Sequence, residues 1–474
     1  MSDPFEKLMK GLYPYAENYG TVKRFADKGM DRDTILEQMR EMSQKEDVSW
    51  EGGKCSGTMY RGNHEHYEFL NEVFGYFNHV NALQRDMCPS MNRFESEIIA
   101  MTVDMLHGDA VPEHHPGEQA CGSIGTGGTE SILNAVYCYR EMAREERGIT
   151  EPELLLPDTA HPAFRKGAHY FGLKLVLAPC DPVTTLVDVD FVRDHINKNT
   201  AVIVGSAGNY PYGTIDPISE LSDLAIEHGV GLHVDGCLGG FILPWGQQLG
   251  YDIPVFDFRL PGVTSISADT HKYGYGLKGT SVVAYRDKSI RKHQYSLTAD
   301  WKGGPYISPG MAGSRSGGLI AATWASMMSL GKEGFLKLAK DIFEASFKMQ
   351  DAVKSHPELR MMGEPTFCFS FTSDAFPMHL LNSFMKKRGW RFNAQQFPDA
   401  VHMCVTGPQT QPGVAETFAS DLADAVAYAK NPPADAPKTS SMYGGGTLEI
   451  DLENEDVMKM FLFGAMDAFT DCPF

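Results

Sequence analysis

Five short β-branched runs alternate with helical stretches through the middle of this 474-residue chain. The runs are Leu173-Lys-Leu-Val-Leu177, Ala201-Val-Ile-Val204, Val230-Gly-Leu-His-Val234, Val263-Thr-Ser-Ile-Ser267 and Ser281-Val-Val-Ala-Tyr285. Pro217 to His228 reads as a helix between two of them. Strands that are apolar throughout, rather than alternating, are buried on both faces. Interleaved helices can supply that cover, so the pattern predicts a mostly parallel central sheet in an α/β fold. In such sheets ligands gather at the carboxyl ends of the strands.

The pattern divides the chain into three regions. Residues 1–55 are charged and helical, as in Asp33-Thr-Ile-Leu-Glu-Gln-Met-Arg-Glu-Met42, and read as an N-terminal arm. Residues 56–330 form the large α/β domain. Residues 331–474 carry an amphipathic helix over 334–356, strand-like runs at 366–370 and 401–405, and a helix over 413–430, which suggests a small C-terminal α+β domain. The uncharged stretch between Arg315 and Lys332 contains Ser, Thr and Gly and reads as a buried helix rather than a membrane span. The first residues lack a basic segment followed by an apolar one, so a soluble cytoplasmic protein is expected.

A net charge of −19 opposes binding to a phosphate backbone, and nucleic acid is set aside. The nine cysteines are scattered with no C-x-x-C, which favours reduced thiols over a disulfide framework. His64-Glu-His66 and His114-His115 lack the spacings of known metal sites and read as solvated loop histidines; no metal is expected.

Four features carry chemistry. Gly125-Thr-Gly-Gly-Thr-Glu-Ser131 precedes a helical run; its glycines allow close approach of an anion to free N–H groups, although such a turn also serves as an ordinary helix start. His161 lies in Asp158-Thr-Ala-His-Pro162, and an imidazole there is either structural or stacks on a flat cofactor. Asp235 directly follows a strand, where a carboxylate either caps the next turn or keeps a pyridinium nitrogen protonated. Lys272 follows another strand, in Asp269-Thr-His-Lys272. A lysine there is either a surface residue in a loop or a buried one; an unpaired buried ammonium is costly, and a lysine of lowered pKa is a good nucleophile toward an aldehyde.

The order glycine turn, His, Asp, then Lys 37 residues after the Asp resembles the aminotransferase-like class of pyridoxal-phosphate enzymes, fold type I. More closely, the chain resembles the sphingosine-1-phosphate lyases of the decarboxylase-like branch. The matching runs include Cys55-Ser-Gly-Thr-Met-Tyr60, Asn81-Ala-Leu-Gln-Arg-Asp86, Gly127-Gly-Thr-Glu-Ser-Ile-Leu133, Ala160-His-Pro-Ala-Phe164 and His233-Val-Asp-Gly-Cys-Leu-Gly-Gly-Phe241. They continue through Gly262-Val-Thr-Ser-Ile-Ser-Ala-Asp-Thr-His-Lys-Tyr-Gly-Tyr275, Asp300-Trp-Lys-Gly-Gly304 and Ala312-Gly-Ser-Arg315.

The resemblance implies pyridoxal 5′-phosphate as cofactor, Lys272 as its Schiff-base lysine, Asp235 at the pyridine nitrogen and His161 stacked on the ring. It implies Gly128, Thr129 and His271 at the cofactor phosphate, with Ser314 and Gly317 reaching it from the partner of a homodimer with shared active sites. Tyr60, Asn81, Gln84 and Lys278 match residues at the substrate's own phosphate. The implied reaction is retro-aldol cleavage of a phosphorylated long-chain base, with Lys272, Tyr210 or a cofactor-phosphate oxygen as proton carrier. An amino-acid decarboxylase and a cofactor-binding protein without turnover are the rivals. The chain departs from the family at Gln84, where a His is usual, at Ser316 for a Pro, and at Gly276-Leu277 for Ala-Pro.

Overall fold

A computed structural model describes residues 11–112, 119–434, 436, 440–441, 447–448 and 455–470. Its centre is a seven-stranded sheet of β1 (Cys121–Gly125), β2 (Glu153–Pro157), β3 (Lys174–Ala178), β4 (Thr200–Ser206), β5 (Gly231–Asp235), β6 (Ser265–Ala268) and β7 (Ser281–Tyr285), in the order 1-7-6-5-4-2-3. The five strands β3, β2, β4, β5 and β6 run parallel. Strand β7 is antiparallel to both β6 and β1, so the sheet is mixed.

This mixed order positions the site. Because β7 reverses direction between two neighbours, β1 points the same way as the parallel block. The chain therefore leaves β1, β2, β4, β5 and β6 at one edge of the sheet. The glycine turn follows β1, His161 follows β2, Asp235 ends β5 and Lys272 follows β6, so four features far apart in sequence share that edge.

Helices cover both faces. In chain order we label α1 (Arg32–Glu51), α2 (His64–Phe77), α3 (Ser90–Met105), α4 (Gly128–Arg147), α5 (Pro162–Phe171), α6 (Ile218–His228) and α7 (Gly317–Lys354). On α4, Ile132, Ala135, Val136 and Tyr139 bury one stripe, joined by Leu154 and Leu156 of β2 and Phe164 of α5. The uncharged stretch after Arg315 is the first half of α7, whose helical geometry breaks at Gly331 (φ 55°, ψ −176°). Beyond it, β10 (Arg360–Met361), β11 (Cys368–Thr372), β12 (Asn393–Gln395) and β13 (Ala400–Cys404) form an antiparallel sheet in the order 10-11-13-12, flanked by a helix over Val414–Lys430. β8 (Ser296–Thr298) and β9 (Tyr306–Ser308) pair as a separate antiparallel hairpin.

The segment after α1 does not stay with the arm. Cys55 bridges to Arg391, and the Gly57 N–H donates to the carbonyl of Cys404, which carries Tyr60 to the Lys272 loop. Two of the histidines expected to be solvated in loops are placed otherwise. His64 and His66 lie on α2 rather than in a loop, and His66 is buried with its Nε2 2.8 Å from the Tyr275 carbonyl oxygen. His114 and His115 fall outside the described residues. The eight described cysteines are free thiols. Among the described residues no helix is long and apolar enough to cross a membrane.

Candidate active site

A cavity of about 590 Å³ opens at the shared edge, lined by Gly127, Gly128 and Thr129 on one side and by His161, Cys237, Asp269, His271 and Lys272 on the other. Its first wall is a helix start without a side-chain cap. Gly127 (φ +149°) is the N-cap of α4 and contributes no cap hydrogen bond. The helix therefore presents its first N–H groups to the cavity with the positive end of its dipole behind them. Thr126, which could have served as an ordinary cap, is instead bound through its N–H and hydroxyl to Glu130 Oε2, both at 2.6 Å. The other Glu130 oxygen accepts from the Ala312 N–H at 3.0 Å. One carboxylate thus ties the glycine turn to the loop that carries Ser314.

Asp235 is buried, and its Oδ1 accepts from the Cys237 N–H at 3.0 Å and from the Ser267 hydroxyl at 3.2 Å. These bonds fix the carboxylate's orientation. His161 caps α5, its Nδ1 accepting from the Ala163 N–H at 3.2 Å, which puts the ring proton on Nε2. Burial pushes its pKa below the ordinary imidazole value, against the pull of Asp235, which favours the neutral ring.

Lys272 is not the unpaired amine that a strand-end lysine suggests. Its Nζ lies 2.9 Å from Oδ2 of Asp269, a carboxylate the sequence reading left within its run without a role. Burial alone would lower the ammonium's pKa, but Asp269 outweighs it and holds it well above the ordinary value. On the carboxylate, burial works upward and the Lys272 and His271 charges work downward, and the net shift is down. His271 accepts from the Thr280 N–H at its Nδ1.

Tyr60 and Lys278 meet beside this group. The Lys278 Nζ stands 4.4 Å from the Tyr60 ring centroid, and the Tyr60 ring packs edge-on against Tyr273 at 4.9 Å. Solvent reaches part of the lysine, yet burial of its ammonium end and the nearby Lys272 charge push it down to about 8.

Five further sequence candidates, Asn81, Gln84, Tyr210, Ser314 and Gly317, lie apart from the cavity lining. The Asn81 amide donates to the Ser314 hydroxyl at 2.9 Å, and its oxygen accepts from the N–H groups of Leu83 and Arg315. The Gly317 N–H donates to the Val80 carbonyl; a Cβ on Gly317 would meet the Val80 side chain at 2.7 Å. Gln84 is exposed. Tyr210 stacks on His402 at 4.5 Å between ring centroids, also outside the cavity lining.

The model of the pyridoxal-dependent decarboxylase conserved domain matches residues 19–371. A sphingosine-1-phosphate lyase of Arabidopsis thaliana is 45% identical over 84% of this chain and 73% of its own length. A sphingosine-1-phosphate lyase of Rattus norvegicus is 40% identical over 94% of this chain and 76% of its own. The chain belongs to the sphingosine-1-phosphate lyase branch of the pyridoxal-dependent decarboxylase family.

A solved sphingosine-1-phosphate lyase from Burkholderia pseudomallei is 60% identical, with a TM-score of 0.91 over 97% of this chain and 100% of that one. A glutamate decarboxylase of Lactobacillus brevis superposes with a TM-score of 0.74 over 89% of this chain and 98% of that one at 18% identity, and shows the fold type I architecture alone. The chain is thus a pyridoxal-phosphate-dependent lyase. The cavity's chemistry fits that cofactor: an uncapped helix start for a phosphate, an imidazole and a primary amine converge on one space, and the fixed Asp235 carboxylate lies behind Cys237 of its lining.

Proposed function

We propose that the chain cleaves the C2–C3 bond of sphingosine 1-phosphate, or of a similar phosphorylated long-chain base, to a long-chain aldehyde and phosphoethanolamine. One observation carries the choice of substrate class. A second lysine, Lys278, stands against Tyr60 beside the cofactor lysine, where a cation and a phenol suit a phosphomonoester. Identities of 36–45% to sphingosine-1-phosphate lyases support the same class over the decarboxylase reading.

In this reading Gly128, Thr129 and His271 hold the cofactor phosphate, His161 packs on its ring, Asp235 keeps a proton at the ring nitrogen, and Lys272 anchors it covalently. When bound, the cofactor supplies a sink for the electron pair left by the C2–C3 bond. Tyr60 and Lys278, with Asn81 and Gln84, orient the substrate's phosphate and so the bond to be broken. The C3 hydroxyl loses its proton as its carbon becomes the aldehyde, and C2 gains one. Lys272 and Tyr210 are the chain's candidates for moving these protons.

We further infer a homodimer with shared sites, in which Ser314 and Gly317 serve the cofactor phosphate of the other copy. Leu297, Trp301 and Ile307 on the β8–β9 hairpin are exposed, and so is Met311, which also lines the cavity. A second copy placed there would cover this apolar surface.

The test is incubation of the cofactor-loaded protein with sphingosine 1-phosphate and mass-spectrometric detection of both products. Release of CO2 from glutamate or an aromatic amino acid, without aldehyde, would establish the decarboxylase. A yellow protein inert to both would establish a binding protein without turnover.

A further inference from the structure

Asp269 lies at the floor of the site, almost wholly enclosed. A Cβ built on Gly128 would stand 2.5 Å from its Oδ2, so the carboxylate lies directly against the glycine turn. The same oxygen is 2.9 Å from Lys272 Nζ and 3.7 Å from His271 Nε2. Oδ1 is buried without a hydrogen bond. A carboxylate in this position directs its attraction chiefly at Lys272, the cation nearest it, and enclosure strengthens that attraction. Other groups act on Lys272 from every side. His271 and Lys278 belong to its own loop, Cys237 follows β5, His161 begins α5, Tyr60 comes from the segment after α1, and Cys404 ends β13. Asp235 sits beyond His161. Of these, Asp269 alone makes a direct ion pair with the lysine.

We propose that Asp269 is a positioning residue that parks Lys272 as an ammonium against the glycine turn, so that the lysine couples to its cofactor only after giving up that proton. The proton passes to solvent and frees the nitrogen lone pair. Coupling then forms a C=N bond to the cofactor's aldehyde carbon, and the aldehyde oxygen leaves as water. Asp269 thereby sets the pH dependence of cofactor loading, a step distinct from cleavage of any substrate. The proposal rests on Lys272 being the cofactor lysine.

The experiment mixes cofactor-stripped protein with pyridoxal 5′-phosphate and follows the rise of visible absorbance from about pH 7 to 10. The parent's capture rate is expected to climb about tenfold per pH unit across that range. Asp269→Asn, with the attraction gone and burial unopposed, should level off at lower pH and capture about tenfold or more faster than the parent at pH 8. Asp269→Glu should keep the parent's slope. An Asn variant with the parent's profile overturns the proposal. So does a parent profile already flat above about pH 8, which decides the matter even if the Asn variant fails to fold. If instead Lys272→Ala still develops the absorbance, the lysine assignment fails, and the two failures are told apart.

Discussion

Lys278 donates to the carbonyl oxygen of His271 at 3.1 Å, so the lysine over the Tyr60 ring is tethered to the residue that immediately precedes Lys272. A cation so placed can serve a dianionic substrate without leaving the cofactor's neighbourhood. Lys278→Ala should raise KM or lower kcat for the phosphorylated base while cofactor affinity, read by absorbance titration, stays near the parent's. Loss of cofactor instead would show that the second anion site is misplaced.

The same lysine gives a pH signature. Its pKa is pushed down to about 8, so it is charged below that pH and neutral above it. kcat/KM for the phosphorylated base should therefore fall as pH rises through about 8, and Lys278→Arg, whose guanidinium keeps its charge, should remove that limb. A limb that persists in the Arg variant belongs to another group.

Lys272→Ala should leave a folded protein without turnover and without the visible band of covalently held cofactor. Aldehyde production by this variant would remove Lys272 from the mechanism.

Asp235 tests the ring-nitrogen role. Asp235→Asn keeps the shape and can still accept from the Cys237 N–H and Ser267 hydroxyl, but loses the charge. Turnover should fall about a hundredfold or more, roughly 2.7 kcal/mol at 1.36 kcal/mol per tenfold, with cofactor still bound. Unchanged kcat would mean that the carboxylate serves only the turn.

Arg315 and Glu95 form an ion pair in which both side chains are nearly inaccessible to solvent. Glu95→Gln strands a buried guanidinium and should destabilise the protein by about 3–5 kcal/mol, seen as a lower Tm. A variant that melts with the parent would show that the Ile124 carbonyl, which also accepts from Arg315, suffices.

The five runs announced the sheet because strand-like segments alternate with helical ones, four of them wholly buried and β3 largely exposed at the sheet's edge, and the features placed at strand ends came together for the reason that parallel strands share a direction. What was harder to read has a local cause. Strand β1, Cys-Gly-Ser-Ile-Gly, carries almost no β signal, since Gly122 is required where a Cβ would approach the Val283 carbonyl oxygen to 2.8 Å. β2 is a leucine run that suits a helix equally well. Asp269 went unassigned because a carboxylate three residues before a lysine looks like loop polarity; only the fold turns it inward under Gly128. The spacing Asp-x-x-Lys directly after a buried strand was the available signal. His66 misled for the converse reason: its partner, the Tyr275 carbonyl, lies 209 residues away.

Glu130 gives the site a thermodynamic property that no single wall of it has. Its two oxygens hold the glycine turn and the loop leading to Ser314 at once, so neither segment can rearrange without cost to the other. In the proposed homodimer, cofactor seated on the turn would stiffen the loop that meets the second copy, and docking of that copy would stiffen the turn. Reciprocity of coupling requires the two effects to be equal in free energy. Cofactor affinity should therefore rise with protein concentration, and a preparation diluted until its copies separate should shed its yellow colour.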